Sequence, residues 1–199
     1  THFKQRDYFD KEFYLDNEDL VIGIRVDTVV IAYPHPILNW HEIVNHKAND
    51  TYLAVSFCPL TGTAVCWNRE LEGGITTFGV SGLLYNNNVL PYDRATESFW
   101  SQIRNDCIFG DLIRTKAEVI PIVETTWETW KSMYPETWVL TNNTGYGRDY
   151  TYYPYGEYKT LDELIYFPIS NKDDRLPAKE RAYSIILGGK AKVYRFQDF

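Results

Sequence analysis

The stretch that decides the fold class is Leu20-Val21-Ile22-Gly23-Ile24-Arg25-Val26-Asp27-Thr28-Val29-Val30-Ile31-Ala32-Tyr33. Two runs of β-branched and other apolar residues flank Asp27-Thr28, and such residues are enriched in strands. A two-residue connection between two such runs is typical of a β-hairpin. The sequence therefore predicts a pair of antiparallel strands at residues 20–26 and 29–33.

A similar pattern occurs near the other end of the chain. Residues 179–194 repeat the order of the first hairpin: charged residues, an apolar run, a short turn, a second apolar run and a tyrosine. The turn in this copy is Gly188-Gly189. Two copies do not make a solenoid, but we expect the two hairpins to pair into one sheet that closes the domain and brings the chain ends together.

Shorter elements are predicted between the two hairpins. Short apolar runs predict strands at residues 52–57, 63–68, 75–80, 119–123 and 137–140. Asn39 is expected to cap a short helix at residues 38–46, and Thr125-Thr126-Trp127-Glu128 is expected to open a second helix that ends near Tyr134. The segments predicted as loops are Asn86-Asn87-Asn88 and the Gly- and Tyr-rich residues 144–158.

These elements together predict an α+β fold. We expect one β-rich domain over residues 1–199, with several antiparallel strands, related hairpins near both termini and a few short helices. A chain of 199 residues can bury roughly 70% of its unfolded surface. Such a domain needs no disulfide or metal to hold it together.

The chain is acidic and rich in aromatic residues, with a net charge of −7 and with 16 Tyr, 10 Phe and 6 Trp. A negative protein repels phosphate backbones, so we expect no nucleic-acid partner. No apolar run approaches the ~20 residues that a membrane helix needs, so no transmembrane segment is expected. The many Tyr and Trp side chains suit β-structure, carbohydrate contact or contact with another protein.

The first residue is Thr1 rather than Met, so we expect a processed or trimmed chain from which any signal peptide is already gone. Two glycosylation sequons, at Asn49 and Asn142, lean toward an exported protein. We therefore expect an extracellular, cell-surface or periplasmic glycoprotein.

Three cysteines are too few for a disulfide framework. Cys58 and Cys66 flank the turn-like sequence Pro59-Leu60-Thr61-Gly62, so we expect them to face each other across a hairpin. A disulfide between them would remove the Cys58 thiolate. Cys107 is the alternative partner, and the odd count leaves at least one thiol free or intermolecular.

Cys58 and His41 form the leading candidate site. A thiolate beside an imidazole can bind copper or zinc, with His35 or His46 as further ligands. The same pair can act as a nucleophile and its general base. The alternative is that Cys58 is a small buried hydrophobic residue and that His41 has a structural role.

Two further segments carry groups suited to ligand binding. The first contains Asp93, Arg94, Glu97, Ser98 and Gln102, where either acid could serve as a general acid or base. The alternative is a turn followed by a salt-bridged strand. In the second segment, Arg148 and Asp149 lie in the Tyr-rich loop. There Arg148 could hold an anion, and the tyrosines could bind a sugar or another protein chain. The alternative is a loop packed on its own domain.

The chain resembles the bacterial and archaeal family called domain of unknown function 3179. The resemblance rests on Ala32-Tyr33-Pro34, Ile37-Leu38-Asn39-Trp40-His41-Glu42-Ile43-Val44-Asn45, Cys58-Pro59-Leu60-Thr61-Gly62-Thr63-Ala64, Phe78-Gly79-Val80-Ser81-Gly82-Leu83-Leu84-Tyr85-Asn86, Tyr92-Asp93-Arg94, Thr96-Glu97-Ser98, Trp100-Ser101-Gln102, Thr144-Gly145-Tyr146, Arg148-Asp149-Tyr150 and Pro154-Tyr155. The resemblance covers nearly the whole chain.

The resemblance implies export but no settled activity. Many family members carry a second cysteine where this chain has Thr61, and this departure weakens any function that needs a Cys-x-x-Cys pair. Cys66 and Cys107 look particular to this chain, which favours a local disulfide or a packing role for them.

Three hypotheses of function follow. The chain binds a soft metal, copper or zinc, or acts through its thiol, at Cys58 and His41. Alternatively, it is a structural subunit that self-associates into an extracellular filament or layer through its aromatic loop and through termini tied down in the domain or by a neighbour. As a third hypothesis, it is an enzyme with a Cys58 nucleophile and a His41 base. A glycan is a further expected partner.

Overall fold

The structure, a computed structural model, describes the backbone of residues 3–5 and 15–198 and the side chains of residues 15–198 other than Ile186. It confirms the predicted fold class, because antiparallel sheets dominate and the α-helices are short. The predicted tethering of the chain termini concerns Thr1 and Phe199, which lie outside the described residues.

The strands are β1 (Phe3–Gln5), β2 (Leu20–Val26), β3 (Val29–Pro34), β4 (Ile43–Ala48), β5 (Thr51–Cys58), β6 (Thr63–Asn68), β7 (Glu70–Leu71), β8 (Gly74–Ile75), β9 (Phe78–Tyr85), β10 (Asn88–Asp93), β11 (Phe99–Ser101), β12 (Asp106–Phe109), β13 (Val123–Thr126), β14 (Trp138–Leu140), β15 (Ala182–Leu187) and β16 (Lys190–Arg195). The helices are α1 (His35–His41), α2 (Trp127–Met133) and a 3₁₀ turn at Phe196–Asp198.

The first predicted hairpin forms the centre of a five-stranded sheet with the order β1-β14-β3-β2-β13. Strands β2 and β3 pair antiparallel from Val21↔Pro34 to Val26↔Val29, so the turn is Asp27-Thr28 as predicted. Strand β14 joins β3 in parallel, and the other pairings in this sheet are antiparallel. The hairpin signal in the sequence was therefore sufficient to place the centre of this sheet.

A second sheet packs on the first, and a third packs on the opposite face of the second. Strands β4, β5 and β6 form a three-stranded antiparallel sheet, and β12-β11-β10-β9 form a four-stranded antiparallel sheet. Apolar side chains of β2 and β3 pack against those of β5 in one core cluster. The opposite face of β5 packs against β9, β11 and β12 through the second cluster, which contains Trp67, Phe78 and Trp100. Strand β5 is thus buried on both faces, in keeping with its nearly unbroken apolar sequence.

Helix α2 covers the free face of the five-stranded sheet. Trp127 and Trp130 pack there on Val21, Ala32 and Val139. As predicted, the helix begins after a threonine cap: the Thr126 side chain accepts a hydrogen bond from the backbone N–H of Thr129. The predicted end near Tyr134 is also correct, because Tyr134 is the C-cap.

The prediction of a helix at residues 38–46 was wrong in its boundaries. Helix α1 runs from His35 to His41, with Pro34 rather than Asn39 as its N-cap. Pro36 lies in the first turn, where a proline is favourable because the first N–H groups of a helix have no intrahelical partner to lose. Residues 43–48, which were assigned to the helix, form strand β4 because they pair along their whole length with β5.

Strands β9 to β12 were largely missed. The predicted strand at residues 75–80 is divided between β8 and the start of β9, and Asn88 belongs to β10 rather than to a loop. Asn86 and Asn87 alone form the β9–β10 turn, and both have positive φ, of 48° and 65°. Asparagine tolerates this backbone region, which is what two-residue hairpin turns require. The run of three asparagines therefore marked a tight hairpin rather than an open loop.

The chain divides into two compact units, Thr1–Pro154 and Tyr155–Phe199. In the second unit, β15 and β16 form the second predicted hairpin, with its turn at Gly188-Gly189. The expectation that the two hairpins share one sheet was wrong, because β15 and β16 form a two-stranded sheet of their own. One domain over residues 1–199 stays a prediction.

The predicted strand at residues 119–123 is displaced along the chain. Strand β13 runs from Val123 to Thr126 and lies at the edge of the five-stranded sheet, whereas Val119 makes an isolated bridge to Trp67. In the part of the chain that the structure describes, neither α1 nor α2 is long and apolar enough to cross a membrane.

Candidate functional site

The C-terminal end of α1 presents Trp40 and His41 at the surface. The helix stops there because Glu42 adopts a positive φ of 56° while its N–H bonds the carbonyl of Leu38. The Glu42 carbonyl then accepts a hydrogen bond from the N–H of Phe57 at 2.7 Å, which ties the helix end to β5. Trp40 and His41 are left half-buried on a well-anchored turn.

The loop that follows β14 brings a row of side chains to this helix end. Every second residue from Thr144 to Tyr152 takes part, although the segment consists of bends and turns rather than a regular strand. Four of them, Tyr146, Arg148, Tyr150 and Tyr152, contact Trp40 or His41. The Arg148 cluster, as we call it, consists of Trp40, His41, Thr144, Tyr146, Arg148, Tyr150 and Tyr152.

A hydrogen-bond chain forms one half of the Arg148 cluster. His41 Nε2 lies 2.6 Å from the hydroxyl of Tyr150, which is only 8% exposed. The same hydroxyl bonds Thr144 Oγ1. Burial lowers the pKa of His41, and the charge of Arg148 lowers it further. His41 is therefore neutral at pH 7, and its ring orientation is held by the buried Tyr150.

A stacked guanidinium forms the other half. The Arg148 guanidinium carbon lies 5.1 Å from the Trp40 ring centre. The indole N–H of Trp40 donates to the carbonyl of Tyr152 at 3.2 Å, which fixes the orientation of that ring. Within residues 15–198, Arg148 has no carboxylate partner. The stacking therefore orients a guanidinium whose N–H groups remain available to a ligand.

Asp149 does not neutralise Arg148, although it follows it in the chain. Its carboxylate accepts hydrogen bonds from the N–H and the hydroxyl of Thr151, at 3.0 and 2.6 Å. These bonds lower the pKa of Asp149, so it is ionised and already satisfied within its own turn. Of the two loop residues predicted for binding, only Arg148 is in the cluster.

Two aromatic rings of the cluster are open to solvent. Tyr146 is 66% exposed and Tyr152 is 58% exposed. The ring of Tyr146 packs at 5.3 Å from that of His41, and the ring of Tyr152 at 6.5 Å from that of Trp40. Exposed rings held beside an available guanidinium can bind an anion that carries an apolar ring or chain.

The family profile of a protein of unknown function, DUF3179, matches residues 2–199. The chain belongs to this family. The match confirms the resemblance seen in the sequence, and the description of the family carries no activity. Neither a curated protein nor a solved structure matches the chain.

In this DUF3179 protein, Cys58 is fully buried and takes no part in the hydrogen-bond chain of His41, Tyr150 and Thr144. Its sulfur lies 3.9 Å from the carbonyl of Asn87, whereas His41 Nε2 bonds Tyr150. The two segments do run side by side, since the ladder of β4 and β5 pairs Ile43 with Ser56. The structure therefore does not bring the predicted nucleophile and base into contact.

The predicted Cys58–Cys66 disulfide was wrong, because all three cysteines of the DUF3179 chain are free and buried. In the β5–β6 ladder, Cys58 pairs with Thr63 while Cys66 pairs with Val55. Cys66 therefore shares a sheet face with Val55. Cys58 lies an odd number of residues beyond Val55 on the same strand, β5. Successive side chains alternate between faces, so the two sulfurs lie on opposite faces of the sheet. Burial raises the pKa of Cys66 to about 12, so it remains a thiol.

The predicted metal ligands do not assemble. His35 Nε2 lies 2.9 Å from Glu124 Oε1, and His46 Nδ1 lies 2.9 Å from the hydroxyl of Tyr33. Across the described residues, no three His, Cys, Asp or Glu side chains are placed to hold one metal ion. A copper or zinc site built from Cys58, His41 and His35 is therefore not formed in this arrangement.

Asp93 holds a turn in this DUF3179 member. Its buried carboxylate accepts hydrogen bonds from the N–H of Thr96 at 2.8 Å and from the indole of Trp100 at 3.0 Å. Glu97 is exposed at a positive φ of 56° in the same β10–β11 connection. These contacts match the turn of the structural alternative, but they are hydrogen bonds to neutral groups rather than ion pairs.

The other predicted binding residues of this segment also stabilise the fold. Arg94 donates to the carbonyl of Phe78 at 2.6 Å, and Ser98 Oγ accepts from the N–H of Leu112 at 3.2 Å. Gln102 is fully buried and joins β5 to the four-stranded sheet: its amide N–H donates to Ser56 Oγ at 3.1 Å. No ligand role is needed to explain them.

The site residues that the sequence predictions lacked are the aromatic ones. Trp40 was noticed only within a family motif, and the tyrosines of residues 144–158 were considered for sugar or protein contact only as a group. The signal in the sequence was the alternation Thr144-x-Tyr-x-Arg-x-Tyr-x-Tyr152, although bends and turns rather than an extended strand bring these side chains to one surface. Both predicted glycosylation sites, Asn49 and Asn142, are exposed, and their use stays a prediction.

Proposed function

We propose that this protein is a binding protein for acidic saccharides and that the Arg148 cluster is its ligand site. The observation that carries the proposal is the Arg148 guanidinium, stacked on Trp40 and without a carboxylate partner in the described chain. The protein has a net charge of −7, so acidic groups that could pair with Arg148 are plentiful. The cluster leaves that cation available to a ligand.

The charge of the Arg148 cluster supports a carboxylate as the charged group of the ligand. A guanidinium offers paired N–H donors that match the two oxygens of a carboxylate, and the stacked ring leaves those edges free. Neutral His41 adds no second full charge, so one negative group per sugar is the suitable partner. Such a group is the C6 carboxylate of a uronic acid.

The aromatic rings support a sugar as the body of the ligand. Tyr and Trp rings provide an apolar face for the C–H groups of a pyranose and polar tips for its hydroxyls. Tyr146 and Tyr152 present exposed rings on either side of the Trp40–His41 pair. This proposal also keeps the extracytoplasmic location and the glycan partner that the sequence led us to expect.

The test compares two ligands that differ at C6, where one carries a carboxylate and the other a neutral hydroxymethyl group. Galacturonate oligomers and neutral galactose oligomers are titrated into the protein while Trp fluorescence and binding heat are measured. We expect the acidic oligomer to bind and the neutral one to bind at least about tenfold more weakly, because a charge-assisted hydrogen bond contributes roughly 1.5–3 kcal/mol. Arg148→Gln should weaken binding of the acidic oligomer by a similar factor.

The matched control is Lys192→Gln. Lys192 is also exposed and also lies over an aromatic ring, 4.9 Å from the centre of Tyr194, so the control removes the same charge and the same type of contact. It should bind the acidic oligomer as the wild type does. Equal affinity for both oligomers, or unchanged binding in Arg148→Gln, would overturn the proposal.

The other hypotheses from the sequence stay predictions. Among the residues that the structure describes, no ligand set supports the metal hypothesis, and Cys58 is buried away from a substrate in the enzyme hypothesis. Self-assembly into a surface layer is compatible with glycan binding and is tested separately by light scattering at increasing protein concentration.

A further inference from the structure

A second feature of the fold suggests a ligand, and it is independent of the Arg148 cluster. An open pocket of about 390 Å³ lies between β12 and residues 110–116. Three cations line it, Arg104, Arg114 and Lys116, with Asp106 as its one acid. The pocket therefore carries a local excess of positive charge in a protein whose net charge is −7.

Asp106 orients two of the cations. Its side chain is only 6% exposed and lies 2.9 Å from Arg104 Nη2 and 3.0 Å from Lys116 Nζ. The hydrogen bond from Arg104 is the main cause that lowers the pKa of Asp106. One buried carboxylate thus holds two cations, which themselves stay exposed at 53% and 73%. A surplus charge remains directed toward solvent.

Arg114 is the third cation, and its backbone is unusual. It has a φ of 74°, in the left-handed region that is strained for a bulky residue and that glycine adopts freely. Two hydrogen bonds hold it there: its N–H donates to the Cys107 carbonyl at 2.8 Å, and the Cys107 N–H donates to the Thr115 carbonyl at 2.9 Å. Arg114 has no carboxylate partner among the described residues.

We propose that this pocket binds a phosphate-type oxyanion carried by a small organic molecule. A tetrahedral dianion matches the surplus of two charges that Asp106 leaves on the three cations. Ile108 and Ile113 also line the pocket and provide an apolar surface for the body of the ligand. Arginine at position 114 places a cation at this wall of the pocket, at the expense of backbone strain that glycine would avoid.

Three probes test the proposal by calorimetric titration: inorganic phosphate, glucose 6-phosphate and glucose. We expect both phosphates to bind and glucose not to bind. Tighter binding of glucose 6-phosphate supports an organic phosphate as ligand, and equal affinity for the two supports recognition of the free oxyanion. Absence of binding by both phosphates would overturn the proposal.

The decisive variant is Arg114→Gly, because it removes the cation and the backbone strain together. It should lower phosphate affinity at least about tenfold while leaving the melting temperature unchanged or higher. Arg25→Gln is the control, since Arg25 is exposed in the β2–β3 hairpin and its side chain bonds a backbone carbonyl. Wild-type affinity in Arg114→Gly would also overturn the proposal. Arg148→Gln should leave phosphate binding unchanged, which separates this site from the saccharide site.

Discussion

At the scale of single residues, the histidines show how burial decides chemistry. His41 and His46 lie in the same short stretch of sequence, and burial lowers the pKa of both. His41 lies at the surface beside Arg148 and takes part in the candidate site. His46 is half-buried and bonds the hydroxyl of the fully buried Tyr33, so its neutral form is part of the core.

We predict that stability falls with acidification because of His46. Burial, with a contribution from the charge of Arg69, lowers its pKa to about 4 from an ordinary value near 6.5. Between these values the unfolded chain binds a proton that the folded chain does not, so the free energy of unfolding decreases as the pH falls. The difference corresponds to roughly 3 kcal/mol, and solvent screening at a half-buried ring reduces the expected loss to about 2 kcal/mol.

Urea unfolding at neutral pH and near pH 4 measures this loss. His46→Gln is the comparison, since its amide oxygen can still accept from Tyr33 but does not titrate. The wild type should lose more stability than the variant on acidification. The same loss in both proteins would show that His46 is not responsible.

At the scale of elements, close packing of α2 on β2 depends on one glycine. A Cβ atom added at Gly23 would lie 2.2 Å from the Trp130 ring, which is held by a hydrogen bond from its indole N–H to Thr137 Oγ1 at 3.0 Å. We predict that Gly23→Ala lowers the free energy of unfolding by about 1–3 kcal/mol, the usual cost of overpacking.

Denaturant unfolding of Gly23→Ala and Gly147→Ala provides the measurement and its control. A Cβ atom at Gly147 meets nothing within 4 Å, and its backbone is not in the left-handed region. Gly147→Ala should therefore keep wild-type stability. If Gly23→Ala were equally stable, the close approach of α2 to β2 would not be a constraint of the fold.

The elements also show which sequence signals are sufficient to predict a strand or a helix. The two terminal hairpins, β5, β6, α2 and β14 were predicted because each has its signal within a few residues: a two-residue turn, a run of β-branched residues or a capping threonine. Strands β4 and β9 to β12 were missed or misplaced. Residues 43–48 carry no clear alternation and become a strand by pairing with β5, so only a partner distant in sequence decides their conformation.

At the scale of the whole molecule, the apolar cores are unevenly distributed. All three core clusters are built from side chains between Leu15 and Tyr150, within the unit Thr1–Pro154. The unit Tyr155–Phe199 contributes a single two-stranded sheet and, in its described part, the buried Tyr158. A two-stranded sheet by itself is at most marginally stable in water.

We predict that residues 1–154 fold alone and that residues 155–199 do not. The first fragment should show a cooperative thermal transition and a β-type circular dichroism spectrum, because it keeps every core cluster. The second fragment should show no cooperative transition. Cooperative unfolding of residues 155–199 alone would contradict this prediction.

The sequence by itself determined the fold class, the two hairpins with their turns, and the family, because these depend on residues that are close together in the chain or on motifs that can be compared directly. Only the tertiary structure decided the site. His41 and Tyr150 are far apart in the chain, and their 2.6 Å contact follows from how α1 and the loop after β14 pack around one sheet. The same packing buried Cys58 and set its sulfur against the carbonyl of Asn87. A side chain's partner and exposure depend on the layer in which it lies, and long-range packing decides that layer.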